Sequence, residues 1–370
     1  MTRNIEKTTF THDSSPATGI LLTNLGTPSA ATVPAVRRYL AEFLSDTRVV
    51  EIPAIIWKPI LYTSVLTRRP KIAAHAYQSI WMEQGSPLLV HSKNQCTEVQ
   101  ELLSKQFSGP IKVALAMRYG SPSIETALNE LRKKNVQRIL VLPLYPQYSA
   151  TTTASTFDAI SKILRSWRWI PELRLVNQYH DFEPYIHALK NSIANYWAKH
   201  QKPEKLVLSF HGLPKRNLDK GDPYFCQCHK TARLLVKSLN LMDSEWIMTF
   251  QSRFGKLEWL TPATDKVLEE LAQSGVKNIH VVSPGFSADC LETLEEVDMQ
   301  YRELFLKSGG EQFHYIPALN SDPDHIAALS QLIQLHTQGW PEFSTQWNQE
   351  KENKEASLRK QAASLAGSNI

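Results

Sequence analysis

One block of this sequence occurs twice, and the repeat constrains the fold more than any other feature. VALAMRYGSP leads through a helical pattern to VQRILVLPLYPQYS, and WIMTFQSRFG leads through a similar pattern to VKNIHVVSPGFS. In the two copies, Ser121-Pro122 and Thr261-Pro262 are predicted to cap and begin the helices. Strands that alternate with helices in this way are typical of right-handed βαβ units. We therefore predict an α/β fold of two Rossmann-like lobes, each with a parallel sheet, and a cleft between them.

The predicted lobes occupy most of the chain. The first is expected over residues 18–172 and the second over residues 173–320, and a helix at about 323–340 is expected to pack back on the first lobe. Residues 1–17 are polar and form a predicted loose tail. A second tail, residues 342–370, is charged and weakly apolar, and we expect that it need not pack at all.

The stretch LVLSFHGLP, residues 206–214, ends a predicted strand at a histidine. Its apolar half is typical of a strand buried on both faces, and glycine and proline then mark a turn. In open α/β sheets the ligand crevice lies beyond the carboxyl ends of the strands. His211 is therefore predicted to face the cleft. The alternative is that it only caps the turn.

A second strand exit, SPGFSADCLETLEEVD, leads into a helix rich in carboxylates. Helical spacing predicts that Asp289, Glu292 and Glu296 share one face, with Glu295 rotated away from it. A histidine nitrogen with carboxylate oxygens suits a weakly held Fe²⁺, Co²⁺ or Zn²⁺ ion. The alternative is a helix face that is merely solvated.

Composition excludes several classes of function. With 41 basic and 36 acidic residues, the net charge of +5 is too balanced for a protein that relies on dense phosphate contacts with nucleic acid. The sequence contains no dinucleotide fingerprint, P-loop or nucleophile elbow. Four cysteines without a regular framework and no apolar signal segment favour a cytoplasmic protein.

Residues 51–71 form an apolar segment that Pro53, Lys58 and Pro59 interrupt. It is too short to cross a bilayer, which takes about twenty apolar residues. Because basic residues follow it, the segment suits the surface of an anionic membrane. A core helix with a basic end is the alternative.

Several motifs together carry a resemblance to a known family. SFHGLP, RYGSP, LPLYPQYSATTT, SPGFSADCLETLEE and the segment from RRPK to GSP follow one another as they do in ferrochelatases. The chain resembles this family from about Gly19 to Pro317. The resemblance implies a lyase that inserts Fe²⁺ into protoporphyrin IX and releases two protons to give protohaem, in the last step of haem biosynthesis.

The resemblance also implies roles for individual residues. His211 and Glu292 match the family's catalytic and metal-site pair, and Glu296 lies further along the same helix as a third metal-binding residue. The implied substrate-binding residues are Arg118, Tyr119, Arg68, Arg69, Lys71, Ser86, Tyr148 and Trp259. Tyr119 and Trp259 are expected to be walls of the porphyrin site.

Two departures from the family pattern bear on cofactors. Cys290 stands where many members have a histidine, so a third imidazole beside the carboxylates is absent. Ala150 stands where the members with an iron–sulfur cluster have a cysteine, and the C-terminal tail contains no cysteine. We therefore expect no iron–sulfur cluster and no tightly bound cofactor.

Two alternative functions are also compatible with the sequence. One is a related chelatase for another tetrapyrrole, coproporphyrin or sirohydrochlorin, with iron or cobalt. The other is a non-catalytic bilobal metal-binding protein. The expected partners are protoporphyrin IX and ferrous iron, with no nucleic acid, and the expected state is a cytoplasmic monomer with peripheral contact at the inner face of the membrane.

Overall fold

A computed structural model describes residues 11–253, 255 and 257–367. Part of each predicted tail, residues 1–10 and 368–370, lies outside the described residues. The described chain forms two four-stranded parallel sheets with helices on their faces, which confirms the predicted α/β class. The helices are α1 (Val33–Phe43), α2 (Ala54–Ile60), α3 (Leu66–Ile80), α4 (Pro87–Gln106), α5 (Ile124–Lys133), α6 (Ser155–Leu164), α7 (Glu183–Lys199), α8 (Lys215–Asp219), α9 (Tyr224–Ser238), α10 (Thr264–Gln273), α11 (Arg302–Lys307), α12 (Pro323–His336) and α13 (Gln349–Leu365).

The first sheet has the strand order β2-β1-β3-β4. Both faces of its central strand, β1, are buried. Successive side chains of a strand point to opposite faces of the sheet, and a different core covers each face. Ile20 and Leu22 pack into the core that includes α4, whereas Leu21 packs into the core beneath α5 and α6. The strands are β1 (Ala17–Thr27), β2 (Ile111–Gly120), β3 (Val136–Pro143) and β4 (Glu172–Leu175).

The second sheet repeats this plan, with the order β6-β5-β7-β8. In each lobe the first strand of the sequence lies between the second and the third. Equivalent backbone bonds follow, from Met117 N to Pro122 O in one lobe and from Phe250 N to Pro262 O in the other. The predicted duplication is therefore confirmed. The strands are β5 (Lys205–His211), β6 (Trp246–Gln251), β7 (Asn278–Val282) and β8 (Gln312–Ile316).

The predicted helix caps are wrong by two residues. Ser121-Pro122 and Thr261-Pro262 form turns ahead of the helices, and both peptide bonds are cis. Ser123 is the N-cap of α5, and its hydroxyl accepts a hydrogen bond from Thr126 N. Helix α10 begins after Ala263.

The two lobes share one apolar core. Leu140 of β3 and Leu208 of β5 belong to a single cluster of buried residues. Helix α12 packs against α7, in the predicted second lobe, and against α4 of the first lobe. A boundary after residue 172 would divide β4, which pairs with β3 as far as Leu175. We therefore propose that the first lobe extends to Leu175.

The predicted C-terminal tail does not begin at Glu342. This side chain is only 2 % exposed, and its carboxylate accepts hydrogen bonds from Thr18 Oγ1 at 3.0 Å and from Arg138 Nη1 at 2.8 Å. The burial of a carboxylate requires such partners. The expectation that the segment need not pack is therefore wrong at Glu342, and the polar helix α13 follows it.

Candidate active site

His211 ends β5 and lies beside Gln251, the last residue of β6. Its Nδ1 is 2.7 Å from the carbonyl oxygen of Gly212. Because a carbonyl only accepts hydrogen bonds, Nδ1 carries the proton of the neutral ring. Nε2 then keeps its lone pair and can accept a proton or bind a metal ion. The predicted position of His211 at a strand end is confirmed.

The turn after His211 is tightly packed, and this packing requires a glycine. A Cβ atom on Gly212 would lie 2.6 Å from the Gln251 carbonyl oxygen and 3.3 Å from Cε3 of Trp259. Trp259 is buried against this turn. Its ring therefore supports the strand end that carries His211, and it presents little open face to the cleft.

The helix that carries the carboxylates is a π-helix, Glu292–Tyr301. Single-turn π-helical insertions are frequent at functional sites, but this helix runs for ten residues. Asp289 precedes it, so the predicted common face of Asp289, Glu292 and Glu296 is wrong at Asp289. Glu295 accepts hydrogen bonds from Gln300, away from the other two glutamates.

Asp289 is instead a buried anchor for the loop before the π-helix. Its carboxylate accepts hydrogen bonds from Tyr315 Oη and Asn320 Nδ2, both at 2.7 Å, and from Thr293 Oγ1 at 3.0 Å. The backbone N–H of Ala318 adds a fourth bond, at 3.2 Å. These donors occupy the carboxylate, so Asp289 holds the loop to β8 and does not form a common row with Glu292 and Glu296.

Glu296 is also occupied by protein donors. Its Oε1 accepts from Ser252 N at 2.7 Å and Tyr301 Oη at 2.8 Å, and its Oε2 accepts from Ser252 Oγ at 2.5 Å and Gln251 Nε2 at 3.4 Å. Ser252 directs its backbone N–H and its hydroxyl to the same carboxylate, with φ at 64°. Glu296 must therefore lose at least one of these bonds before it binds a metal ion.

His211, Glu292 and Glu296 lie around one residue, because Gln251 pairs with His211 in the sheet and donates to the Glu292 backbone oxygen and to Glu296 Oε2. Burial raises the pKa of Glu296, hydrogen bonds from Ser252 and Tyr301 oppose this rise, and His211 lowers the pKa while Glu292 raises it. The pKa of Glu296 is thus raised above its ordinary value, which makes proton uptake by this carboxylate easier. Among residues 11–253, 255 and 257–367, no three His, Cys, Asp or Glu side chains have the spacing of metal ligands.

A small cavity brings Glu292 against the first lobe. Ser86, the N-cap of α4, lines it together with Tyr39 and Tyr77, and Cys290 lies beside Glu292. Burial raises the pKa of Tyr39 and of Tyr77, and Glu292 contributes to both rises. The two tyrosines were not predicted from the sequence, because they fall at helical positions typical of ordinary core residues.

Arg118 and Tyr119, at the end of β2, form a hydrogen-bonded network with Asp46. Asp46 Oδ2 accepts from Arg118 Nη2 and Ser155 Oγ, at 2.5 Å and 2.6 Å, and from Tyr119 Oη at 2.8 Å. Burial raises the pKa of Asp46, but hydrogen bonds from Ser155, Arg48 N and Tyr119 and the charge of Arg118 outweigh it, so the pKa is lowered. Tyr119 is 1 % exposed, so its ring is not an open wall in this structure.

The basic residues of α3 lie on its outer face. Arg68, Arg69 and Lys71 are exposed, whereas Tyr77 on the buried face of the same helix reaches the cavity beside Glu292. The structure therefore does not bring the three basic side chains into that cavity. They lie on the exposed face of α3, the helix whose Tyr77 lines the cavity.

Tyr148 lies where the two lobes meet. Its backbone N–H donates to Gln227 Oε1 at 2.7 Å, across to α9. Two neighbouring contacts join the same loop to the second lobe, from Gln147 to Thr231 and from Ala150 N to Asp222. The side chain of Tyr148 is half-buried at this seam.

A short apolar surface extends from the first lobe around α2. Ile55 is 85 % exposed and Ile56 55 %, and Ile60, Tyr62 and Ile72 are also exposed. Trp57, in contrast, points inwards and donates from Nε1 to the Leu44 carbonyl oxygen at 2.6 Å. None of the helices that the structure describes is long and apolar enough to cross a membrane.

Comparison with known proteins decides the family. The ferrochelatase family model matches residues 17–337. The chain belongs to the ferrochelatase family. It is 54% identical to the ferrochelatase of Thioalkalivibrio sulfidiphilus over 90% of each chain, and 52% identical to that of Hydrogenovibrio crunogenus over 96% of each chain. The ferrochelatase of Marinobacter nauticus is 53% identical over 90% of each chain.

Family membership fixes the reaction class. The protein is a ferrochelatase-type metal chelatase of haem biosynthesis, and iron insertion into a porphyrin is its reaction. The alternative of a non-catalytic metal-binding protein is thereby overturned. Among solved structures, SirB from Bacillus subtilis with Fe³⁺ has a TM-score of 0.52 at 14% identity, covering 89% of this chain and all of SirB. This likeness concerns the fold alone, and it agrees with the two-lobed architecture.

Proposed function

We propose that this enzyme inserts Fe²⁺ into protoporphyrin IX at a site built on His211 and Glu292. One observation supports the proposal: Gln251, the neighbour of the strand-end His211 in the sheet, donates to the Glu292 backbone oxygen and to the half-buried carboxylate of Glu296. In this proposal, a metal ligand, a proton acceptor and a carboxylate with a raised pKa lie within one cleft.

The reaction explains why these three groups belong together. Metallation replaces two pyrrole protons with a dication, so the site must hold the metal and remove protons. Nε2 of His211 either accepts a pyrrole proton or binds the incoming metal, and Glu292 takes the other of these two roles. Glu296, whose pKa is raised by burial, passes protons on, and binds the metal only after a donor from Ser252 is released.

We further propose that the porphyrin lies between the lobes. In a flat ring the nitrogen lone pairs lie in the plane, so contacts that fit a puckered ring better than a flat one favour the transition state. Arg118 and Ser86 supply donors for the propionate groups, and Arg68, Arg69 and Lys71 add positive charge on the exposed face of α3. Tyr119, Tyr148 and Trp259 are the proposed aromatic supports of the site, with Tyr119 and Trp259 acting from buried positions.

Two substitutions test the site. His211→Ala and Glu292→Gln should each lower the rate of haem formation at least about a hundredfold, the lower end of what a positioned acid or base contributes. Initial rates are measured anaerobically with protoporphyrin and Fe²⁺, and porphyrin affinity is measured separately by fluorescence. Glu295→Gln is the control, because the Glu295 carboxylate accepts its hydrogen bonds from the exposed Gln300. Full activity of either site variant would remove the residue from the mechanism.

We also propose peripheral contact of the exposed surface around Ile55 and Ile56 with an anionic membrane. Apolar side chains that are exposed beside Arg68 and Lys71 suit the boundary between headgroups and acyl chains. Protoporphyrin and haem are poorly soluble in water, so an enzyme at the membrane surface takes up protoporphyrin directly from the bilayer and returns haem to it. The proposed state in solution is a cytoplasmic monomer.

No iron–sulfur cluster is proposed. Cys96, Cys226, Cys228 and Cys290 match neither the family's cluster spacing nor a four-cysteine ferredoxin run. Cys228 and Cys290 are buried, and burial raises the pKa of both thiols, which disfavours the thiolate that a cluster needs.

A further inference from the structure

Gln251 is a fully buried amide at the junction of the two elements that carry the proposed catalytic pair. It is 1 % exposed and ends β6, directly beside His211 in the register of the sheet. Its backbone oxygen accepts the N–H of Gly212 at 2.8 Å. The turn after His211 is therefore fixed to Gln251 through the main chain.

The side chain of Gln251 reaches the π-helix. Nε2 donates to the backbone oxygen of Glu292 at 2.8 Å and to Oε2 of Glu296 at 3.4 Å. On the other side of the amide, Oε1 accepts from Ser209 Oγ at 2.8 Å and from Ser283 Oγ at 3.4 Å. All the hydrogen-bonding positions of the planar amide are thus used, and its orientation is fixed.

This arrangement links three strand ends to the first turn of the helix. Ser209 lies on β5, Ser283 follows β7, and Glu292 begins the π-helix. The Glu292 carbonyl lies at the start of the π-helix, and the amide of Gln251 donates a hydrogen bond to it. A rotation of this helix about its axis would move the Glu292 carboxylate relative to His211, and the bond from Nε2 opposes that rotation.

We propose that Gln251 is a positioning residue for iron insertion: its amide sets the placement of Glu292 opposite His211. The inference rests on the proposed roles of His211 and Glu292. Misplacement of a reacting group by about 1 Å can cost a hundredfold in rate. Gln251 touches neither metal nor porphyrin in this proposal, so its loss should lower kcat while porphyrin affinity is kept.

Gln251→Glu is the most selective test. The replacement has the same shape and keeps both acceptor bonds to Ser209 and Ser283, but it loses the two N–H donors that face the π-helix. We expect kcat for haem formation to fall at least about tenfold, with the porphyrin Kd within twofold of wild type. Gln251→Met, which removes the donors without adding charge, should show the same loss of kcat.

The split between kcat and porphyrin Kd gives a readout that a merely structural role would not produce. A variant that is only less stable loses active sites and porphyrin-binding sites together, whereas misplacement of Glu292 lowers kcat and leaves the porphyrin Kd unchanged.

Gln95→Glu is the matched control. Gln95 is also fully buried, and its Nε2 donates to the backbone oxygens of Ser287 and Asn320 at 2.8 Å and 2.9 Å. The control should lose stability but keep both kcat and the porphyrin Kd within about twofold.

Several results would overturn the proposal. Unchanged kcat in folded Gln251 variants, a loss confined to porphyrin affinity, an equal effect of Gln95→Glu, or a failure of both Gln251 variants to fold would each show that the amide is only structural. The proposed function is tested separately. It is wrong if His211→Ala and Glu292→Gln remain active, whatever the activity of the Gln251 variants.

Discussion

The substitution Asp46→Asn removes the counter-charge of Arg118 without a change of shape. The Asp46 side chain is 8 % exposed and that of Arg118 is 18 % exposed, so water replaces little of the lost interaction. Because aspartate and asparagine are isosteric, the variant changes the charge of the network and leaves its packing as it is.

The cost follows from what Arg118 keeps and what it loses. Its guanidinium retains the bonds from Nε to the Ser155 backbone oxygen and Oγ, but it loses a charged acceptor that also serves Tyr119. A hydrogen bond to a charged group contributes about 1.5–3 kcal/mol, and a buried pair that loses one partner costs about 3–5 kcal/mol. Because Arg118 keeps part of its exposure and its other bonds, we expect a loss of about 2–4 kcal/mol in unfolding free energy.

Urea unfolding at pH 7, followed by circular dichroism, measures this loss as a lower midpoint at an unchanged slope. Asp158→Asn is the control, because Asp158 pairs with Arg48 at 2.8 Å but with side chains 47% and 44% exposed. An exposed pair of this kind contributes less than about 1 kcal/mol. Since the pKa of Asp46 is lowered by folding, its contribution persists above about pH 4 to 5 and disappears as the pH falls through the folded pKa. Equal losses in the two variants would refute the burial argument.

Three further predictions concern acid stability, membrane contact and cofactor content. Burial lowers the pKa of His325 to about 4, so between about pH 6.5 and 4 the unfolded state binds a proton that the folded state does not. As the pH falls through this range, the unfolding free energy should decrease by up to about 3 kcal/mol. The decrease should be smaller in His325→Gln, which lacks the titrating group. Ile55→Ser with Ile56→Ser should reduce co-sedimentation with anionic liposomes, and equal sedimentation of variant and wild type would contradict membrane contact. Purified protein should contain no acid-labile sulfide, and about two sulfides per chain would contradict the absence of a cluster.

The fold could be predicted because the repeat recurs at the level of strands and turns. Apolar runs that end in glycine and proline mark the carboxyl ends of β5 and β7, and those ends determine where His211 and the carboxylate helix lie. The prediction was wrong where tertiary bonds override local spacing. An α-helical pattern contains nothing that distinguishes it from the π-helix Glu292–Tyr301, and nothing in it shows that Tyr315 and Asn320 hold Asp289 outside the helix.

The parts of the site that the sequence did not reveal depend on contacts between distant segments. Asp46 lies in a short polar stretch after α1, and only the fold brings it to Arg118. Tyr39 and Tyr77 have the spacing of core residues, and their position opposite Glu292 depends on how the lobes pack. Gln251 carries no sequence signal for its role, because an amide at a strand end is common in any sheet.

The burial of Glu342 links the two ends of the chain and so bears on the order in which the protein is made. Thr18, at the start of β1, bonds to a carboxylate 324 positions later in the sequence, and Arg138 of β3 bonds to the same group. During translation both residues leave the ribosome long before Glu342 does, although domains generally fold from the N-terminal end first. Until Glu342 has left the ribosome, the nascent first lobe lacks this buried acceptor for Thr18, whereas Arg138 already has the Glu172 carboxylate of β4, whose Oε2 lies 3.6 Å from its Nε. The first lobe therefore reaches its final form only after the chain beyond the second lobe has been made.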